Sequence, residues 1–226
     1  MARSLSMRVL QHPFAKPAVF AVALIPFVHL AWAAFADALG PNPAEALIRG
    51  MGDWTLRFLC ITLAVTPLRQ LTGLNALLRF RRMLGLFTFF YGSVHLLCYS
   101  GFDMAFDVAS IVRDIAKRPF ILAGTLGFLL MTPLAATSCN RAIRALGAGR
   151  WQRLHRLVYA VAAAGLLHFW WMRSGKNDFG EPAIYLGIVS VLMLWRLWHR
   201  FARVQSRDHR NGVSISQPRT KSGVQS

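Results

Sequence analysis

Acidic residues are scarce in this chain: nine Asp and Glu stand against 26 Lys and Arg in 226 residues. So basic a balance, with a pI of about 11.5, raises a nucleic-acid partner, but no base-reading or aromatic module accompanies it. Nucleic acid is therefore excluded. Cysteine is scarcer still, and Cys60, Cys98 and Cys139 form no C-x-x-C pair, which excludes a disulfide framework and an iron–sulfur site. No Gly-rich dinucleotide motif is present either, so reducing equivalents, if the chain handles them, must come from elsewhere.

Charge of either sign is missing from three long runs, Ala18–Ala36, Met83–Phe102 and Pro119–Cys139. Each is about the 20 residues that cross roughly 30 Å of hydrocarbon as a helix. With 55% hydrophobic residues and a mean hydropathy of +0.40, the chain reads as a membrane protein. Three further runs complete a set of six. Met51–Leu68 carries Arg57, Trp151–Met172 begins among Arg153 and Arg156, and Pro182–Trp198 ends at Arg196. Each spans if its basic stems snorkel. The first run follows a basic start but exceeds a signal-peptide core and has no A-x-A site clear of the helix, so it reads as retained.

The expected fold is therefore all-α, a polytopic bundle of six transmembrane helices. Residues 1–16 form an N-terminal segment, 17–200 the bundle and 201–226 a polar, aperiodic tail expected to be disordered. Under this map 19 of the 26 basic residues fall on one side, and eight of the nine acidic residues on or near the other. The positive-inside rule then makes both termini cytoplasmic. Six of the seven tryptophans land near predicted helix ends, where indole prefers the interface.

Histidine position carries the chemistry. The third and fifth spans run in the same direction, and His95 and His168 fall at a similar outer height on them. Two neutral imidazoles on adjacent helices at one depth are the axial set of a haem iron. Zinc or copper is the alternative, with Cys98 one turn from His95, although such sites want further carboxylate or thiolate ligands. His155 lies thirteen residues before His168, as Arg82 does before His95, so each pair is separated by roughly 20 Å along a helix axis. His29 has no partner in view.

The motifs "RRMLGLFTFFYGSVHLLCY" (81–99), "DIAKRPFILAG" (114–124), "RWQRLHRLVY" (150–159) and "LLHFWW" (166–171), in this order, closely resemble the MsrQ family, formerly YedZ. That family belongs with the ferric reductase and NADPH oxidase transmembrane superfamily. The resemblance implies a haem-binding membrane subunit of the bacterial inner membrane, which passes electrons to the periplasmic molybdopterin reductase MsrP for repair of oxidised methionine. It also implies FMN, and a cytoplasmic flavin reductase or the quinone pool as electron donor. In the superfamily two helices carry two histidines each. Here His95 and His168 match the outer pair and His155 half of the inner one, whose other position is Arg82, a guanidinium that does not ordinarily ligate iron.

One haem b is thus expected on His95 and His168. His155 is expected to serve a second haem or a flavin, beside a cluster of Arg81, Arg82, Arg153 and Arg156 that suits propionates, an FMN phosphate or, equally, lipid headgroups. Arg57, entering the second span from outside, suits a haem propionate or simple snorkelling. Competing functions are a ferric-chelate reductase and a haem-free scaffold or transporter. The acidic outer loops are candidate docking surfaces, or ordinary solvated loops.

Overall fold

The computed structural model describes the backbone of residues 2–175 and 177–215 and the side chains of 7–175 and 177–202. All its elements are helical: α1 (Ala2–Gln11), α2 (Ala15–Phe35), α3 (Pro43–Thr72), α4 (Leu78–Cys98), α5 (Val108–Lys117), α6 (Pro119–Ala136), α7 (Asn140–Leu146), α8 (Ala148–Leu154), α9 (Val158–Ser174) and α10 (Gly180–Ile215). A 3₁₀ turn (Asn75–Leu77) leads into α4, which ends in a π turn (Tyr99–Asp103).

Four helical segments are long and apolar enough to cross a membrane: Ala15–Phe35, Asn75–Asp103, Pro119–Ala136 and Gly180–Ala202. The expected second and fifth spans are not among them. The second lies within α3, whose 30 residues include Glu45, Arg49, Asp53 and Arg57. The fifth is not one continuous helix. It breaks at a 3₁₀ turn, His155–Leu157, leaving α9 with 17 residues. The Trp151 carbonyl there takes both the backbone N–H and, at 3.1 Å, the ring Nδ1 of His155, and the ladder tightens at that point. At the C-terminus α10 runs on through Ile215, past Val204 where the polar tail begins, and 216–226 lie outside the described residues.

Helix α3 is central. Met51, Phe58 and Val65, seven residues apart, face α2 and α4 in one buried cluster with Ala23, Phe87 and Tyr91. Leu56, Leu59 and Leu63 face the other way, against Val161, Phe169 and Val189 of α9 and α10. The heptad spacing and the i+3, i+4 spacing put these sets on two faces of one helix. Its ends are fixed locally. Asn42 accepts from the Glu45 N–H at 3.2 Å before Pro43, and Gly73 closes the helix at φ 70°, a left-handed value that glycine adopts without a Cβ clash.

The closest helix pairings are α3 with α4 and α6 with α9, and contact between α4 and α6 joins the two pairs. Tyr91, wholly buried on α4, fastens α2 to this frame. Its hydroxyl donates to the Ala23 carbonyl at 2.8 Å and accepts the Phe27 N–H at 3.1 Å, inserting into the α2 ladder beside Pro26. At the start of the π turn, Tyr99 donates to the buried Asp114 at 2.7 Å, which holds α5 against the end of α4.

Candidate functional site

His95 on α4 and His168 on α9 meet across the junction of the two helix pairs, their ring centres 6.1 Å apart and their planes at 79°. His95 Nδ1 is 2.8 Å from the Ile48 carbonyl oxygen of α3, and His168 Nδ1 is 2.6 Å from the Phe120 carbonyl oxygen of α6. A carbonyl only accepts, so each Nδ1 carries the proton. Each neutral ring then has its free lone pair on Nε2. Two imidazoles trans on one metal, each about 2.0–2.1 Å from it through one nitrogen, have ring centres about 6 Å apart. The pair thus has the spacing and protonation that an axial set requires.

The alternative ligand set does not assemble. No group of three or more His, Cys, Asp or Glu side chains comes together among the described residues, so Cys98 does not complete a zinc or copper site with the two histidines. Two protein ligands suffice for haem, because the porphyrin supplies the other four.

At the opposite end, between α4, α6 and the 3₁₀ turn at His155, lies a cavity of about 540 Å³, within the range of cofactor-sized pockets. Arg81, Arg82, His155, Arg156, Tyr159 and Thr62 are among its lining residues, and no carboxylate is. Arg82 donates to Asn140 at 2.7 Å, and His155 stacks on Trp151 with ring centres 3.9 Å apart. Two buried polar atoms of the lining, His155 Nε2 and Thr62 Oγ1, have no hydrogen-bond partner. Buried polar atoms normally have one, so both are available to a bound group.

The structure therefore brings Arg81, Arg82, Arg156 and His155 to one cavity. Arg153 is exposed and does not line it. Arg57 donates from Nε to the Tyr185 hydroxyl at 3.2 Å and lies 4.7 Å from the centre of the Trp54 ring. His29 sits on the exposed face of α2, away from the other histidines. Sequence reasoning missed Thr62 and Arg196. The latter donates to the Leu63 and Leu192 carbonyls, with its guanidinium 5.9 Å from the ring centre of Tyr159. It also missed Gly52 and Gly124, which stand directly against the imidazoles. The signal for Arg196 was present, as the cation at the end of an apolar run. The glycines gave none.

A family model described as ferric reductase like transmembrane component matches residues 51–166. A relative from Polaromonas naphthalenivorans is 62% identical over 90% of this chain and 93% of its own length. Others from Ralstonia nicotianae and Bordetella pertussis are 54% and 48% identical, over 80% and 82% of this chain and 83% and 91% of theirs. The chain belongs to the MsrQ family. All three relatives bear the name protein-methionine-sulfoxide reductase heme-binding subunit MsrQ. The ferric reductase match begins at Met51 in α3 and ends at Leu166 in α9, so it takes in His95 and His155 and stops two residues short of His168. No solved structure matches the chain significantly.

Proposed function

We propose that this chain is the haem-carrying, electron-conducting membrane subunit of a methionine sulfoxide reductase system. The observation that carries the reading is the His95–His168 pair, 6.1 Å between ring centres, with each Nδ1 committed to a helix carbonyl. A haem b held there supplies a one-electron carrier that cycles between ferric and ferrous iron. The imidazoles hold it by Nε2. Arg57, midway along α3, offers positive charge for a propionate, its guanidinium positioned by Trp54 and Tyr185.

His155 and the guanidiniums of Arg81, Arg82 and Arg156 hold a second group, FMN or haem, by its anionic substituents. Arg153, at the exposed rim, meets lipid headgroups. The topology is six spans in the bacterial inner membrane with both termini cytoplasmic. In support, the 30 residues of α3 extend about 45 Å, long enough to cross. They need not be strongly apolar where neighbouring helices cover them. Electrons enter from a cytoplasmic flavin reductase or the quinone pool and leave to the periplasmic molybdopterin subunit MsrP. That partner performs the sulfoxide chemistry.

A pyridine haemochrome and flavin assay on the purified chain tests the reading, followed by reoxidation of the dithionite-reduced protein by MsrP or by ferric chelates. Haem b and rapid reoxidation by MsrP are expected. Reoxidation by chelates alone would make the chain a ferric-chelate reductase, and no Soret band after haem-sufficient expression would make it a scaffold or transporter.

A further inference from the structure

Each imidazole of the outer pair is seated in the same backbone device on the neighbouring helix. His95 bonds the carbonyl of Ile48, and the residue four positions later on α3 is Gly52. His168 bonds the carbonyl of Phe120, and the residue four positions later on α6 is Gly124. In an α-helix the carbonyl of residue i points toward residue i+4, and the Cα–Cβ bond of that later residue tilts back over the same turn. A side chain at i+4 therefore covers the flank of the carbonyl. Glycine leaves it bare, and the oxygen's second lone pair becomes open to a donor from another helix.

The distances show how closely both notches are filled. A methyl group on Gly124 would lie 2.7 Å from His168 Nδ1 and 3.0 Å from its Cε1. One on Gly52 would lie 3.1 Å from His95 Nδ1 and 3.2 Å from its Cε1. Real carbon atoms do not approach within 3.0 Å, so at Gly124 the ring itself must move, whereas at Gly52 a few tenths of an ångström suffice. Among the described residues no other glycine has a histidine against it: methyls on Gly50 and Gly92 would meet the flexible ends of Leu30 and Met131 at 3.0 Å. A methyl on Gly127, also on α6, would meet only the Ala164 methyl at 3.4 Å and the Gly165 nitrogen at 4.0 Å.

We infer that Gly52 and Gly124 are positioning residues for the axial histidines: each bares one helix carbonyl so that it accepts the imidazole Nδ1–H, fixing the tautomer and aiming Nε2 at the metal. The proposal rests on the haem reading above. Losing that hydrogen bond lowers the electron donation of the imidazole, which disfavours ferric iron and raises the midpoint potential.

The test uses the full chain, purified with haem, as Gly124→Ala, Gly52→Ala and Gly127→Ala. Haem content, the low-spin electron paramagnetic resonance signal and the midpoint potential are measured on material of parental helicity. Gly124→Ala is expected to retain haem tenfold or more weakly, and the haem that remains to show a shifted low-spin signal and a raised potential. Gly52→Ala should move the same readouts in the same direction by less. Should Gly124→Ala not accumulate, Gly52→Ala carries the test alone. Gly127→Ala should match the parent.

Parental haem content, spectrum and potential in whichever variants accumulate would overturn the proposal and leave the haem reading standing. So would an equal change in Gly127→Ala, because helix spacing would then be the cause. A parent chain without haem would instead overturn the haem reading, and the proposal with it.

Discussion

The two ends of the helix bundle hold histidine in opposite ways. At the outer end, His95 and His168 are each tied by Nδ1 to a carbonyl on a neighbouring helix and face one another at 6.1 Å. At the inner end, His155 bonds a carbonyl of its own helical segment, stacks on Trp151 and faces a cavity of about 540 Å³ edged by Arg81, Arg82 and Arg156. The first site is set by backbone geometry, with both Nδ1 atoms committed to carbonyls and both Nε2 lone pairs left over. The second is set by volume and positive charge, and admits any flat, anionic group of suitable size.

The largest effect that would sharpen this contrast is at the outer pair. His95→Ala or His168→Ala should each abolish the low-spin haem spectrum, and an unchanged spectrum in either would remove the axial assignment. His155→Ala should spare that spectrum yet slow reduction from the cytoplasmic side severalfold or more. An undiminished rate would make the inner histidine a packing residue.

Charge separates the sites next. Arg82→Ala should weaken retention of the inner group, most at low salt and less as salt screens the parental contact, while the outer haem remains indifferent to salt; parallel losses at both ends would break the comparison. A smaller effect is expected at Thr62, whose buried hydroxyl lacks a partner. Thr62→Val should stabilise the cofactor-free chain by about 1 kcal/mol, because it removes an unsatisfied polar atom, and should weaken binding in the cavity. Thermal melts with and without the bound group measure both.

The smallest effect concerns pH at the exposed start of α5. Asp107 caps α5, accepting from the Ala109 N–H at 3.0 Å and from the Ser110 hydroxyl at 2.5 Å. These bonds, the hydroxyl first, hold its carboxyl below the ordinary aspartate value of 3.8. A depressed folded-state value contributes stability that is complete above the unfolded value and is lost as pH falls through the folded one. Hydrogen exchange in α5 should therefore be flat from neutral pH down to about 5 and its protection should fall below about 4. Protection unchanged by Asp107→Asn at neutral pH would show that the negative charge contributes nothing there.

Legibility followed lipid exposure. The runs at Ala18–Ala36 and Pro119–Cys139 announced themselves, because a helix facing lipid must be apolar nearly all round, and α2 and α6 bury only Ala23, Ala33, Ala123 and Gly127. Met83–Phe102 was as legible although α4 is more buried, because its core positions are filled by Leu84, Phe87 and Tyr91 and not by charge. Helix α3 was harder to read for the converse reason. It is covered on two faces by other helices, so it tolerates Asp53 and Arg57 and loses the hydropathy signal. The break at His155 was invisible, since "QRLHRLVYA" has neither glycine nor proline and the 3₁₀ turn shows only in the bonds that the Trp151 carbonyl takes from His155. Arg153 carried the same weight in the sequence as Arg156, yet only Arg156 lines the cavity. The two lie on different elements, Arg153 on α8 and Arg156 on the 3₁₀ turn that follows it.

By itself the sequence determined the helical class, the apolar runs, the basic imbalance and the depth of His95 and His168, because hydropathy, charge and residue count act along the chain and need no partner. Only the tertiary structure decided which carbonyl each imidazole bonds, which glycine admits it and which arginines share a cavity. Those facts lie between helices far apart in sequence: His95 reaches back 47 residues to Ile48, and His168 reaches back 48 to Phe120. A hydrogen bond of under 3 Å between two helices requires their separation and rotation to be fixed together, and packing alone fixes both.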